Sequence, residues 1–276
     1  MQQISGIAEL RRRLRESASV AFVPTMGNLH EGHLDLVRQA RNHGECVVVS
    51  IFVNPLQFGP TEDFDKYPRT LAEDCAKLQG LADVVFAPSV NEMYPQQQSI
   101  FIELPPIANE LCGASRPGHF RGMATVVLKL LNIVQPQTAL FGKKDYQQLH
   151  IIRQMVCQMN LPVQIIGGET VRAADGLALS SRNQYLTAAE RSEAVWLHQA
   201  LTTLRLSILQ GDRDFSKMEA KATEALAKRG WLVEYISVRN GATMSAPGVA
   251  DRELVVVAAA RLGQTRLIDN LEIVVD

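Results

Sequence analysis

The sequence predicts an α/β protein: a parallel sheet with helices on both faces, followed by a smaller C-terminal α+β domain. Three observations carry that prediction. Short β-branched runs such as 46-CVVVSIFV-53 alternate with segments whose apolar residues recur at helical spacing. The runs are apolar at nearly every position, as strands buried on both faces are. Beyond about residue 170 the alternation stops, and two helical segments precede three strand-like ones. The expected domains are therefore residues 1–170 and 171–276.

Taken in order, 1-MQQISGIAELRRRLRESAS-19 is basic in its middle, carries Glu9 and Glu16, and has no apolar centre. It reads as an amphipathic surface helix and not as a signal or transit peptide. The segment 19-SVAFVPT-25 reads as a buried strand, 31–42 as a helix stopped by Asn42-His43-Gly44, and 46–53 as a second strand. Next come a helix with a glycine stop, 70-TLAEDCAKLQG-80, and a strand, 83-DVVFAP-88. The stretch 122-GMATVVLKLLNIVQP-136 has helical spacing, and 138-TALFG-142 is a short strand leading into the helical 144-KDYQQLHIIRQMVCQM-159. In the second domain Thr187 and Glu190 form a capping box for a helix running to about Gly211, and a further helix covers about 215–229. The runs 231-WLVEYISV-238, 253-ELVVVAAARLG-263 and 265-TRLIDNLEIV-274 read as a mainly antiparallel sheet.

Composition narrows the function classes. Of the 276 residues 46% are hydrophobic and 21% charged, ordinary for a globular chain with a real core. A net charge of −1 gives no electrostatic reason to expect nucleic acid or an anionic membrane as a partner. The four cysteines (Cys46, Cys75, Cys112, Cys157) are far apart, with no Cys-x-x-Cys pair, which fits a reducing compartment. The strongest apolar run, 46–53, is far too short to span a bilayer. A soluble, cytoplasmic protein is expected.

The most informative stretch is 25-TMGNLHEGHLDLV-37, which sets two of the chain's six histidines three residues apart where a strand turns into a helix. Helix caps or polar surface residues would explain them. So would a metal pair, since residues at i and i+3 share a helical face, although no third ligand stands at a persuasive spacing. Phosphate binding is the third reading. In 27-GNLHEGHL-34 the glycines have P-loop spacing, but His33 and Leu34 stand where the lysine and hydroxyl belong, and no G-x-G-x-x-G follows a strand. A helix N-terminus can still receive phosphate through its free N–H groups and dipole. Gly27 and Gly32 permit close approach, and imidazoles can donate to phosphate oxygens.

His30-Glu31-Gly32-His33 at the end of a first strand resembles the His-x-Gly-His signature of class I aminoacyl-tRNA synthetases and related nucleotidyltransferases, with 179-LSSRN-183 in the position of their late Lys-Met-Ser-Lys-Ser loop. Longer blocks are similar to one family. The segments 23-VPTMGNLHEGHLDLV-37, 50-SIFVNPLQF-58, 67-YPRTLAED-74, 116-RPGHFRGMATVV-127, 141-FGKKDYQQL-149 and 172-RAADGLALSSRNQYL-186 resemble the pantothenate synthetases (pantoate–β-alanine ligases) in order and spacing.

That resemblance implies a Rossmann-like domain with a C-terminal lid. It also implies ATP-dependent joining of pantoate and β-alanine through a pantoyl-adenylate, releasing AMP and pyrophosphate, with Mg²⁺ accompanying ATP. Met26, Gly27, Asn28, Leu29, His30, Glu31, Gly32 and His33 would form the ATP cradle, with His30 and His33 on the phosphates. Lys144 matches the family's lysine, flanked by Gly142, Lys143 and Asp145, although Lys143 stands where the motif usually has another residue. Ser180, Ser181 and Arg182 would cap the departing pyrophosphate; Leu179 replaces a usual methionine, and the Val171 backbone would meet the adenine. Gln57 and Gln148 match the pantoate-binding glutamines, while Glu73 and Asp74 fall near the acidic residues assigned to the metal. Small-molecule partners and a homodimer are implied. The rival expectation is a related nucleotidyltransferase acting on a phosphate or alcohol.

Overall fold

The computed structural model describes residues 1–60, 62 and 64–275. The chain divides into two compact units, one of Met1–Lys143 with Ile151–Glu169, the other of Lys144–His150 with Thr170–Asp276.

In the first unit β1 (Gln2–Ile4), α1 (Ile7–Leu14), β2 (Val20–Thr25), α2 (Glu31–Ala40) and β3 (Cys46–Ile51) come first. Then follow α3 (Leu71–Leu78), β4 (Val84–Phe86), the single turns α4 (Val90–Met93) and α5 (Cys112–Ser115), and the long α6 (His119–Val134). The last elements are β5 (Thr138–Gly142), α7 (Tyr146–Gln158), whose first turn groups with the second unit, and β6 (Gln164–Gly168). The sheet order is β1-β4-β3-β2-β5-β6, and every pairing is parallel.

The strands alternate their side chains between two covered faces. Ala21, Val23, Val47, Val49, Val85 and Leu140 join Leu36, Val37 and Ala40 of α2 and Leu78 of α3 in one buried cluster. α6 packs against β2 and α1. Gly122 of α6 sits so close to the Leu56 carbonyl and the Gln57 amide that a Cβ has no room. The chain turns from β2 towards β3 on one side and places β5 on the other, so the sheet has its topological switch point between β2 and β5. With Ala21 opposite Thr138 and Phe22 opposite Ala139, the two strands end together at Thr25 and Gly142. Ligands of open α/β sheets bind beyond strand ends at such a point.

The second unit holds α8 (Ala188–Glu193), α9 (Val195–Leu209), α10 (Phe215–Ala227) and an antiparallel sheet of β7 (Leu232–Asn240), β8 (Glu253–Leu262) and β9 (Thr265–Val274). Leu197, Leu201, Leu204 and Ile208 recur at helical spacing on α9, and Leu254, Val256, Ala258, Ala260 and Leu262 alternate along β8; together they form its core.

Two expectations are corrected, and one strand is added. The N-terminal segment is not one helix: Gln2–Ile4 pairs with Val84–Phe86 as an edge strand, and the helix covers only Ile7–Leu14. A further strand, β6, has the sequence QIIGG and follows no strand signal in the chain. The helix begun by the Thr187–Glu190 capping box is interrupted at Ala194, so it is two helices. Among the described residues no helix is long and apolar enough to cross a membrane.

Candidate active site

The His-x-Gly-His turn lies at the switch point. Thr25 ends β2 with its Oγ1 donating to the Ser50 carbonyl (2.8 Å) and accepting from the Gly27 amide (3.2 Å), which starts the reversal. Gly27 and Asn28 both have positive φ (81° and 50°). A Cβ on Gly27 would stand 3.0 Å from both Asp74 Oδ2 and Ile51 Cγ2, so any other residue would be strained by its positive φ and would press on both neighbours.

His30 is the N-cap of α2. Its Nδ1 accepts from the Gly32 amide (3.2 Å), while His33 Nδ1 accepts from the His30 amide (3.3 Å). This is a capping box built from imidazoles. A backbone N–H can only donate, so each Nδ1 must present a lone pair. The neutral rings therefore carry their protons on Nε2. The two rings sit 4.0 Å apart between centroids, tilted by 38°. Glu31 faces away: Arg38 binds it at 2.6 Å, and that hydrogen bond holds its carboxyl below the usual range.

Gln57 is buried and reaches the same turn, its Nε2 lying 3.0 Å from Met26 Sδ. Its orientation follows from its neighbours. Asn54 Oδ1 accepts from the Leu56 amide (3.3 Å) and the Tyr94 hydroxyl (2.8 Å), and Asn54 Nδ2 donates to the Gly122 carbonyl (3.2 Å) and Gln57 Oε1 (3.1 Å). Because the Leu56 amide can only donate and the Gly122 carbonyl can only accept, neither amide can flip. Gln57 thus presents N–H towards Met26, and burial raises the Tyr94 phenol further above its ordinary value. The block 116-RPGHFRG-122 braces the Gln57 main chain: its carbonyl accepts from His119 Nδ1 (2.9 Å) and Arg116 Nη2 (3.4 Å). Arg116 also grips Glu62 through two bonds of 2.6 and 2.8 Å. Burial pushes the Glu62 carboxyl up, but the Arg116 hydrogen bond and charge, the Gly59 amide and His119 outweigh it and hold it low.

The other expected residues separate by unit. Gly142 ends β5 beside β2, and Lys143 pairs with Glu169 at 2.6 Å, all in the first unit. Asp74 is fully buried on α3 and accepts from Asn28, Leu29 and Thr70; Glu73 beside it is exposed.

In the second unit Lys144 is half-buried, with its carbonyl accepting from Asn270 Nδ2 (2.9 Å); Asp145 is exposed and Gln148 half-buried. Val171–Leu179 folds back on itself: the Leu179 amide donates to the Val171 carbonyl (3.0 Å), and Arg172 bridges Ala178. Arg172 pins this loop through two 2.8 Å bonds to the buried Asp269. Burial pushes the Asp269 carboxyl up, but His198 and Arg172 together with the Asn270 amide more than offset it and leave it below the usual range. The loop delivers Ser180 as the cap of a short 3-10 turn, its Oγ accepting from the Arg182 amide (3.3 Å), with Ser181 and Arg182 half-buried alongside.

Residue-by-residue reading missed Asn54, Tyr94, Thr70 and Lys77, which act through contacts 3 to 48 residues apart in sequence. The Asn54-Pro55 dipeptide, a turn former, was the only local signal for any of them.

A helix cap at the switch point of a parallel, doubly covered sheet defines an α/β protein of the doubly wound class, which binds ligands beyond its strand ends. The comparisons make this particular. The sequence profile described as pantoate-beta-alanine ligase matches residues 1–272. The chain is 59% identical over 273 residues to a pantothenate synthetase of Methylobacillus flagellatus, covering 99% of this chain and 98% of that one. The crystal structure of pantothenate synthetase from Thermus thermophilus superposes with a TM-score of 0.93 at 45% identity, covering 98% of this chain and 99% of that one. A pantoate-beta-alanine ligase from Francisella tularensis, complexed with beta-gamma ATP and beta-alanine, gives 0.80 at 37% identity over 98% and 97% of the two chains. The chain belongs to the pantoate-beta-alanine ligase family.

Proposed function

We propose that this chain joins pantoate to β-alanine at the expense of ATP, through a pantoyl-adenylate. A pantoate carboxylate oxygen attacks the α-phosphorus of ATP, and the bond to the β,γ-phosphates breaks to release pyrophosphate. The β-alanine amine then attacks the acyl carbon, AMP leaves with the carboxylate-derived oxygen, and the amine loses a proton to solvent. The observation that carries this reading is the imidazole capping box, in which backbone amides occupy both Nδ1 atoms and make His30 and His33 Nε2–H donors. Such donors suit the charge that builds on a triphosphate during displacement.

In this reading the Met26–His33 turn cradles ATP, with the Leu29 and Asn28 peptides shaping it and the Glu31 carboxylate paired with Arg38. Lys144 supplies a compact ammonium to the phosphates, and Asp145 faces the nucleotide's ribose. The Val171 backbone and Leu179 meet the adenine, and Ser180, Ser181 and Arg182 receive the pyrophosphate. Gln57, held with its N–H groups forward, donates to the pantoate carboxylate or hydroxyls, and Gln148 serves the same acid. The second unit acts as a lid that excludes water from the adenylate. A homodimer in the cytoplasm completes the reading.

Magnesium would come with ATP. The residues do not fit a site built by the protein: both Asp74 oxygens hold backbone amides and the residue is 0% exposed. Among the described residues no three His, Cys, Asp or Glu side chains gather as ligands. Mg²⁺ typically keeps several waters and phosphate oxygens, needing few protein ligands, and Glu73 is the exposed carboxylate nearby in sequence.

Incubation with ATP, pantoate and β-alanine tests the assignment. AMP and pyrophosphate formed only when pantoate is present, with turnover requiring β-alanine, is the expected result. A stable nucleotide-linked product, formed with a phosphate or alcohol acceptor, would establish the rival nucleotidyltransferase.

A further inference from the structure

Helix α3 makes three contacts with one short piece of the nucleotide turn. Asp74 accepts the Asn28 amide on Oδ2 (2.8 Å) and the Leu29 amide on Oδ1 (2.7 Å), with Thr70 Oγ1 donating to Oδ2 (3.1 Å). One helical turn further on, Lys77 Nζ donates to the Leu29 carbonyl at 2.7 Å. The Leu29 carbonyl and the His30 amide belong to the same peptide, whose planar trans geometry points them in opposite directions. Drawing the carbonyl towards Lys77 therefore aims the His30 N–H to the other side, where it meets His33 Nδ1 at 3.3 Å. That bond keeps the His33 proton on Nε2.

We propose that Lys77 and Asp74 are positioning residues of the nucleotide site. An acceptor and a donor one turn apart on α3 clamp the Leu29–His30 peptide, and through it they set the ring and tautomer of His33. The proposal rests on the ATP-binding reading of the turn above. It gives the buried Asp74 carboxylate a task other than metal binding. It also gives the exposed Lys77 a defined one.

Lys77→Met keeps the apolar stem and removes the donor, at a position exposed enough that the fold is not at risk. The expected result is a kcat for adenylate formation lowered roughly fivefold to twentyfold, a fraction of the 10²–10³ that losing the His33 donor itself would cost. The KM for pantoate should change less than twofold, and Lys77→Arg should restore the rate. Asp74→Asn should lower kcat likewise while leaving the Mg²⁺ activation midpoint in place. Imidazole ¹⁵N spectra give a readout independent of turnover: His33 should be an Nε2–H tautomer in the wild type and a mixture in Lys77→Met. An unchanged tautomer, a Lys77→Met rate within twofold of wild type, or an Asp74→Asn variant needing about tenfold more Mg²⁺ would overturn the proposal. If the wild-type protein forms no AMP, the functional reading fails, and the spectra still decide this inference.

Discussion

His33→Ala isolates the part of the site that the functional reading needs most. The substitution removes two interactions. One is the acceptor for the His30 amide in the capping box, a 3.3 Å bond at a half-buried helix start. Caps of this kind contribute about 1 kcal/mol, so thermal unfolding should shift by only a few degrees. The other is the Nε2–H donor, which in the proposed reaction faces phosphate oxygens gaining charge. Loss of one such preorganised donor costs about 2.7–4 kcal/mol, or 10²–10³ in kcat. The two magnitudes separate cleanly: a protein that melts nearly like wild type should form pantoyl-adenylate at least a hundredfold more slowly. Rapid-quench measurement of pyrophosphate release in a single turnover, without β-alanine, reads that step alone. A rate within threefold of wild type would refute the placement of the phosphates at this helix start.

Two further outcomes follow from the geometry. Gln57→Glu leaves Asn54 Nδ2 a partner but turns a carboxylate oxygen towards the acid substrate. A hydrogen bond to a charged group is worth about 1.5–3 kcal/mol, so the KM for pantoate should rise about tenfold to a hundredfold with the KM for ATP little changed; steady-state titration of each substrate checks this. Asp269 has its carboxyl held below the usual range in the fold. Such a group stabilises the folded state above its unfolded value and loses that contribution as pH falls through its folded value. The melting temperature should therefore drop as pH falls below about 4, and Asp269→Asn should flatten that slope. By stranding Arg172, the same substitution should destabilise the second unit by about 3–5 kcal/mol at neutral pH, measured by denaturant titration.

Much of the fold was legible because its signals are local and strong. Cys46–Ile51 is apolar except at Ser50 because β3 is central and covered on both faces. Leu254–Ala260 is likewise apolar at every position because β8 is the middle strand of its sheet and is buried along that length. Gln2–Ile4 could not be seen, since three residues at a sheet edge carry no periodicity and gain their structure only from Val84–Phe86. The break at Ala194 has no glycine or proline to announce it. At the site, the His30–His33 spacing marks a helix start in the sequence, but its physics is visible only in three dimensions. The rings cap the helix through Nδ1 and carry their protons on Nε2, because each imidazole has two nitrogens with separate tasks. Asp74 falls near the acidic residues that the resemblance assigns to the metal, and a solvated helix face would explain it equally, because a sequence gives residue type and not partners. What commits it to the Asn28 and Leu29 amides is the packing of α3 under a turn 45 residues away. Gln57 stands out in the chain by resemblance alone, and its donor orientation depends on Asn54, Tyr94 and Gly122, which meet only in the folded chain.

The reaction proposed for this chain has a signature in its atoms. Pantoate labelled with ¹⁸O in its carboxylate, turned over with ATP and β-alanine, should pass one labelled oxygen to the phosphate of AMP, because the carboxylate attacks phosphorus and the C–O bond breaks in the second step. Mass spectrometry of the AMP reads the result directly. AMP formed in step with pantothenate but carrying no ¹⁸O would contradict attack of the carboxylate on the α-phosphorus, and with it the function assigned to this site.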